Sequence, residues 1–409
     1  MSRFPILGRR LCCVFTHKFP VRGELNDNCN CKLYVHLIPK WENLMSLKKQ
    51  ITTLQLYSII LISIAITNHV LLIPVLLQYG KRDSWMGATL ALVPMLIWTG
   101  LLYFLVRRSK QGNLMDWIRM RTGKWVTYMI QFAIILICWT HSVVTIKDVT
   151  MWTHVTYLPR TPIFIIELIF VLFCFFAARE GIKAIAISSG ILLPGVIVLG
   201  YFVMGANFQY KDYTLLTPLF THGYGPTVMC MLLTCSASFE MLSVLVMQHH
   251  VRTRIRLRGL LIITTCVIGL TIGPLTGAIA IFGPFEAADL RYPAFEQWRM
   301  VTLGKYISHL DFLSIFQWIS GASIRTSIMM FIIVDMINIT KKSTRTKFLI
   351  WISLGLLGAS MYPLSDNQMV HMLQNYYYTY MFAFGLCLSL FLLVVAMLPM
   401  RRKEKMPSG

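Results

Sequence analysis

Long apolar runs separated by short polar segments recur along the chain from residue 51 almost to its end. Ten such runs lie at 51–78, 84–106, 125–147, 161–178, 182–205, 225–247, 259–282, 308–338, 347–363 and 369–399. Each is close to or longer than the roughly 20 residues that an α-helix needs to cross the hydrocarbon core of a bilayer. The pattern therefore predicts an all-α polytopic membrane protein with ten transmembrane helices.

Composition and charge support this fold class and orient the chain. The 409 residues are 56% hydrophobic and only 13% charged, which excludes a soluble globular domain. A net charge of +21 would suit a nucleic-acid-binding protein, but the basic residues cluster in loops after the second, sixth and eighth predicted spans and at the C-terminus. Basic loops stay on the cytoplasmic side. Both termini are therefore expected in the cytoplasm, and no nucleic-acid partner is expected.

The first 44 residues differ from the rest of the chain. They contain mixed charges and Cys12, Cys13, Cys29 and Cys31, but no apolar core of a signal peptide. The cysteine spacing is not that of a zinc site, so we predict neither a metal nor a cofactor. We expect a non-spanning leader at 1–44, a transporter-like domain at 45–402 and a short tail at 403–409. A chain translated from Met45 is expected to be active.

The apolar run of the first predicted span is interrupted by Thr67, Asn68, His69 and Pro74. Polar side chains near the bilayer centre are costly unless they face protein or water, so such a group is a candidate site. Thr and Asn also begin helices well, and a half-helix starting there would aim its positive dipole end at the membrane midplane. This stretch predicts a discontinuous helix, with Thr67, Asn68 and His69 binding a ligand and Pro74 shaping the break. A merely kinked helix with a satisfied histidine is the alternative.

Ten spans with both ends inside divide into five plus five of opposite orientation. The sixth span is then the counterpart of the first, and it carries Thr234, Ser236, Ser238 and Glu240 near its centre. Paired interruptions in two inverted halves indicate a midplane binding site, here framed by the hydroxyls of Thr234, Ser236 and Ser238. Small residues that merely let helices pack closely are the alternative.

Two further spans carry polar stripes at helical spacing, which should face the protein interior. The stripe of the third span comprises Thr127, Gln131, Cys138, His141 and Thr145; that of the eighth comprises Asp311, Ser314, Trp318, Gly321 and Arg325. From these we take Gln131 and Cys138 as ligand-binding candidates and Trp318, Gly321 and Arg325 as structural or gating residues. Glu240 and Arg325 should each be paired, and each is a candidate partner for the other. A structural ion pair is as good an explanation as ligand contact.

The longest outer loop, 283–308, mixes aromatic and charged residues. Pro293 suits the first turn of a short helix. Such a helix would be amphipathic, and we expect it at the surface as a lid or as a docking face for another protein.

The same loop carries a family resemblance. Its runs Gly283-Pro284-Phe285 and Arg291 to Gln297, followed by His309-Leu310-Asp311 and Gln317-Trp318, resemble the B subunit of bacterial spore germination receptors. The Lys48-Lys49 start, Pro74 and Ser365-Asp366-Asn367 agree, so the resemblance covers Met45 to Arg402. Relatives generally carry a glycine-containing break in the first span, where this chain has Thr67-Asn68-His69.

The resemblance implies the amino acid-polyamine-organocation superfamily and a LeuT-like 5+5 inverted repeat with discontinuous first and sixth helices. It implies a germinant receptor subunit of the spore inner membrane that binds a small germinant, such as an amino acid. It also implies partnership with an A-type membrane subunit and a C-type lipoprotein. An H⁺- or Na⁺-coupled amino acid transporter is the alternative. An enzyme is not expected, because the sequence contains no nucleotide-binding motif, metal-ligand set or nucleophile with a partner base.

Overall fold

The structure is a computed structural model that describes residues 51–399 apart from 222, 303, 305, 306 and 340. Within these residues the backbone forms helices and short 3-10 or π-helical turns joined by loops, and an isolated bridge joins Ile51 to Val251. Helices occupy all ten predicted apolar segments. The predictions for the leader, its four cysteines, Met45 and the tail lie outside the described residues.

The helices of the first half follow the predicted spans closely. They are α1 (Thr53–Ile66), α2 (Leu72–Gly80), α3 (Ser84–Leu90), α4 (Leu92–Arg108), α5 (Leu114–Thr122), α6 (Lys124–Thr156), α7 (Ile163–Glu180) and α8 (Ile182–Ala206). A capping box of Thr52 and Gln55 begins α1, and the side chain of Asn113 caps α5.

The second half begins after an irregular loop. Its helices are α9 (Gly225–Ser238), α10 (Ser243–Met247), α11 (Leu257–Phe282), α12 (Pro284–Asp289), α13 (Pro293–Arg299), α14 (Leu313–Met336), α15 (Lys342–Ser360), α16 (Asp366–Met372) and α17 (Tyr378–Met397). Ser365 and Gln368 form the capping box that begins α16.

In the part of the chain that the structure describes, seven helical stretches are long and apolar enough to cross a membrane. The first of them, Thr53–Arg108, contains both the first and the second predicted span. α7 and α15 are not among the seven. Ten membrane-crossing helices in a LeuT-like inverted repeat therefore remain a prediction.

The first and sixth spans are interrupted near the predicted positions, but by irregular helical turns and not by the predicted breaks in the helix. The chain passes from α1 to α2 through a π-helical turn, Thr67–Leu71, whose backbone stays helical. Likewise α9 continues into α10 through a 3-10 turn, Phe239–Leu242. Since Pro74 has no N–H for the carbonyl of Val70, the helix must adjust just before it, and a wider turn does so without exposing backbone groups. No half-helix begins at Thr67 or Asn68, so no helix N-terminus points at the midplane there.

The centre of the protein is formed by α1 and α14. Residues 320–334 of α14 are buried without exception. Gly321 makes this close packing possible, because a Cβ at this position would lie 2.5 Å from Cγ1 of Ile66. Such small residues let membrane helices approach one another. Gly321 therefore has a structural role in the contact between α1 and α14.

The polar stripes face inward, as predicted. On α6, Thr127, Cys138, His141 and Thr145 are buried and Gln131 is half-buried. On the eighth segment Asp311 is half-buried, while the stripe residues from Ser314 to Arg325 are buried.

The predicted helix after Pro293 is present as α13, but it does not lie on the surface. Phe295 and Trp298 are buried, and the indole of Trp298 donates a hydrogen bond to Gln317 at 2.9 Å. The backbone carbonyl of Gln297 accepts a hydrogen bond from Asn207 at 2.6 Å. The helix is therefore part of the packed core at this end of the protein. The prediction that this helix forms an exposed lid or docking face is therefore wrong for these residues.

Candidate functional site

A buried ion pair lies at the point where the first, third, sixth, eighth and tenth helical segments meet. Nη2 of Arg325 lies 2.8 Å from Oε2 of Glu240, and Nε lies 3.2 Å from Oε1. Both side chains are almost completely shielded from solvent. The expectation that these two residues pair with one another is confirmed.

The remaining N–H groups of Arg325 bind α6 and the tenth segment. Nη1 donates to Thr145, and Nη2 also lies 3.0 Å from Nδ1 of His141 and 3.3 Å from the Tyr377 hydroxyl. The Tyr377 hydroxyl accepts from Nη2 and lies 2.6 Å from Nδ1 of His141. An unprotonated imidazole nitrogen has a single lone pair, so Tyr377 and the guanidinium compete for one acceptor position on Nδ1.

The carboxylate of Glu240 also binds the first segment. Ser63 donates to Oε1 at 3.0 Å and Thr67 donates to Oε2 at 3.1 Å. Together with the two bonds from Arg325, these occupy the hydrogen-bonding capacity of the carboxylate. The carboxylate of Glu240 has no unused acceptor position, and Arg325 donates from Nε and from both terminal nitrogens, which explains how the pair is tolerated away from water.

Three irregular helical turns come together around this pair. Thr67 begins the π turn of the first segment, Glu240 lies in the 3-10 turn of the sixth, and Tyr377 ends a π turn at Leu373–Tyr377. Such turns redirect side chains within a helix and occur often at functional sites. Here they bring hydroxyls and charges from three helices to one point.

Beside the pair lies a cavity that is lined by residues of the first, third, sixth, eighth and tenth helical segments. It extends from Glu240 toward Leu114 and Leu392, the end of the helices at which the basic loops lie. Its polar lining side chains are Thr67, Cys138, His141, Ser236, Glu240, Ser243, Tyr377 and Tyr378. The rest of the wall is mainly Ile, Leu, Met and Phe. An apolar wall with a few polar groups is typical of a small-molecule site.

Three of the predicted ligand-binding residues, Thr67, Cys138 and Ser236, line this cavity. Ser236 projects from α9 and donates to the carbonyl of Tyr378 at 2.6 Å. The hydroxyl of Thr67 is bound to Glu240 at 3.1 Å. All three residues are therefore at the cavity, and the hydroxyls of Thr67 and Ser236 are already engaged as donors.

The other predicted ligand-binding residues are not part of the cavity wall. Asn68 faces α11 and donates to the carbonyl of Val267 at 3.2 Å, and Gln131 donates to the carbonyl of Met336 at 2.8 Å. Thr234 and Ser238 donate to backbone carbonyls of their own helix, and His69 is half-buried. For Thr234 and Ser238 the arrangement is that of small-residue packing.

Sequence reasoning missed two members of the site. Ser63 lies four residues before Thr67, so the two hydroxyls share one helix face. Tyr377 lies in the run Tyr376-Tyr377-Tyr378, where nothing in the sequence separates the inward ring from its neighbours. His141 and Thr145 belong to the polar stripe that we identified, but their contact with Arg325 was not foreseen.

The opposite end of the site is closed by aromatic rings and a second ion pair. The rings of Trp152 and Trp318 stack with centroids 4.2 Å apart, and Nη2 of Arg291 lies 2.7 Å from Oδ1 of Asp148. Burial opposes the charge of Arg291, but the carboxylate of Asp148 more than compensates and raises the pKa of the guanidinium. Arg291 also stacks on Tyr292 at 4.3 Å. The loop that carries the family resemblance thus anchors this closure.

Comparisons with known proteins agree with the resemblance. The family described as spore germination protein matches residues 50–369. The chain is also 35% identical over 351 residues to spore germination protein XB of Bacillus anthracis, covering 86% of this chain and 98% of that protein. Neither the family nor the relative indicates a catalytic activity. The chain is thus an integral membrane protein that belongs to the spore germination protein family of permeases.

Proposed function

We propose that the protein is the B subunit of a nutrient germinant receptor and binds a small organic germinant, an amino acid by preference, in the cavity beside Glu240 and Arg325. The observation that carries the proposal is this juxtaposition of a cavity with a buried, extensively hydrogen-bonded ion pair. The family membership supports a role in germination, and the cavity supports the binding of a small molecule.

The cavity wall favours a ligand with an apolar side chain and a positively charged group. Ile134, Ile137, Met381 and Phe384 offer apolar contact area, and Glu240 is the acidic residue among the lining side chains. An ammonium group would approach Glu240, replacing hydroxyl donors that now bind it. The first and sixth helical segments are continuous here, so neither offers the positive end of a half-helix to the carboxylate of an amino acid.

The acceptor positions of the Glu240 carboxylate are all occupied, and this offers a route from binding to signalling. A ligand that bonds to Glu240 must displace Ser63, Thr67 or Arg325, which belong to the first and eighth segments. The helices would then rearrange relative to one another. A receptor requires only that the ligand bind one conformation better than the other. The A-type membrane subunit and the C-type lipoprotein would receive this change in the spore inner membrane.

The test is to fill the cavity and measure the germinant response of spores. Ala237→Leu and Cys138→Phe add bulk to the cavity wall, while Cys266→Phe makes the same change at an exposed position of α11. We expect the cavity variants to raise the germinant concentration for half-maximal response at least tenfold, at unchanged levels of protein and partner subunits. The Cys266 variant should respond like the parent. An unaltered dose response in both cavity variants would place the ligand elsewhere.

A transport assay distinguishes the sensor from the H⁺- or Na⁺-coupled transporter. The purified protein in lipid vesicles should bind the labelled germinant saturably without accumulating it when an ion gradient is imposed. Accumulation that collapses with the gradient would establish a transporter and refute a sensor without transport.

A further inference from the structure

We propose that His249, His250 and Asp335 form a binding site for a transition-metal ion of the zinc class at the end of the protein where the basic loops lie. The two histidines form the 3-10 turn Gln248–His250 that ends the sixth segment, and Asp335 lies in the last turn of α14. One ligand atom from each residue lies within 4.8 Å of the other two.

The distances suit a common ion. Nε2 of His249 lies 3.3 Å and Nε2 of His250 lies 3.0 Å from the same carboxylate oxygen, Oδ2 of Asp335. Zinc binds imidazole nitrogen and carboxylate oxygen at about 2.0–2.2 Å, so neighbouring ligands of a tetrahedral ion are about 3.3–3.5 Å apart. Both nitrogen–oxygen distances are therefore within a few tenths of an ångström of this spacing, and the two histidine nitrogens lie within 4.8 Å of one another.

The site is accessible and has room for a further ligand. The three side chains keep 21–22% of their surface exposed. A small cavity lies next to His249 and Asp335, and Asn338 also lines it. A water molecule or the amide oxygen of Asn338 would complete the coordination.

The donor set determines the class of ion. Two imidazoles and one carboxylate suit Zn²⁺, Co²⁺, Ni²⁺ or Cu²⁺, whereas Ca²⁺ takes six to eight oxygen ligands and Mg²⁺ prefers oxygen. The surroundings are not acidic either. Arg345 lies over the ring of Phe331, whose edge contacts His250. The affinity for an ion would therefore come mainly from its direct bonds to the histidine nitrogens and not from electrostatic attraction by surrounding acidic side chains.

An ion at this position would tie together helices that border the large cavity. The N–H of Ile51 donates to the carbonyl of His250 at 2.9 Å, so the turn is already joined to the start of the first segment. Leu114 and Val246 line both the large cavity and the small one. Metal binding would hold α14 against this junction and keep this end of the protein closed.

The experiment uses the purified full-length protein and Co²⁺ as a spectroscopic probe, with Zn²⁺ affinity measured against a chelating dye. We expect His250→Gln and Asp335→Asn each to weaken binding at least tenfold. His371→Gln, at an exposed histidine of α16, should leave the affinity unchanged. Equal stoichiometry and affinity in all proteins would overturn the proposal, since the ion would then sit on other residues such as the leader cysteines.

A second measurement needs no substitution and so does not depend on the variants folding. In the parent protein, Zn²⁺ should protect His249 and His250 from acylation by diethyl pyrocarbonate, as mapped by mass spectrometry, while His371 continues to react. Unchanged reaction at His249 and His250 in saturating Zn²⁺ would refute the site.

Discussion

Arg325 of α14 donates two hydrogen bonds, at 2.8 and 3.2 Å, to the carboxylate of Glu240 in the sixth segment. The two residues are 85 positions apart in the chain, and both are buried. Each charge is tolerated only because the other is present. This dependence leads to the first prediction.

Removing one partner of the pair should be far more damaging than removing both charges. Arg325→Met leaves Glu240 buried and unpaired, which typically costs about 3–5 kcal/mol, whereas replacing a whole buried pair is often nearly neutral. We expect Arg325→Met to lower the unfolding temperature of the protein in detergent strongly and Glu240→Gln/Arg325→Met to recover much of the loss.

The exposed pair of Arg299 and Glu296, 3.1 Å apart, provides the control for this prediction. Arg299→Met should change stability by less than about 1 kcal/mol, because solvent screens the pair. If the double variant at Glu240 and Arg325 were as unstable as Arg325→Met, the lost stability would not come from the unpaired charge.

A glycine-to-alanine pair tests the close contact between α1 and α14. Gly321→Ala would put Cβ 2.5 Å from Ile66, and such overpacking costs about 1–3 kcal/mol. Gly190→Ala on α8 meets no atom within 4 Å and should stabilise the helix by about 0.5–1 kcal/mol. The two variants should therefore shift the unfolding temperature in opposite directions, and a shift of the same sign would show that α14 does not pack this closely on α1.

Arg291 should control access to the interior from the end of the protein that Trp152 and Trp318 close. Ser314 is buried near this end, and a Ser314→Cys variant should react slowly with a maleimide. Arg291→Ala removes the contact with Asp148 and the stacking on Tyr292, so the rate of labelling should rise several-fold. Arg299→Ala in the same Ser314→Cys background is the control. An unchanged rate with Arg291→Ala would mean that packing alone keeps this end closed.

The orientation in the membrane can be tested at two exposed loop positions. Asp289→Cys, in the 283–308 loop, should be labelled by an impermeant maleimide from outside the membrane, and Arg254→Cys only after permeabilisation. The parent protein reports the background from native cysteines such as Cys266 and Cys387. The reverse pattern would invert the predicted topology.

The apolar pattern by itself determined where the helices lie. A helix satisfies its own backbone hydrogen bonds, so length and apolar character are enough to specify it in a membrane. The helical periodicity of the polar residues, among them Gln131, His141 and Arg325, correctly indicated which helix faces turn inward. Pro293 correctly indicated the start of α13.

Only the tertiary structure decided which polar side chains meet. A contact between distant helices depends on the depth and rotation of each helix, so Tyr377 and Ser63 could not be assigned to Glu240 and Arg325 beforehand. The sequence also could not distinguish Ser236 from Ser238. Ser236 donates to a backbone carbonyl of α17, whereas Ser238 donates to a backbone carbonyl of its own helix. The sequence could not distinguish a broken helix from the π turn before Pro74 either, because both accommodate the missing N–H.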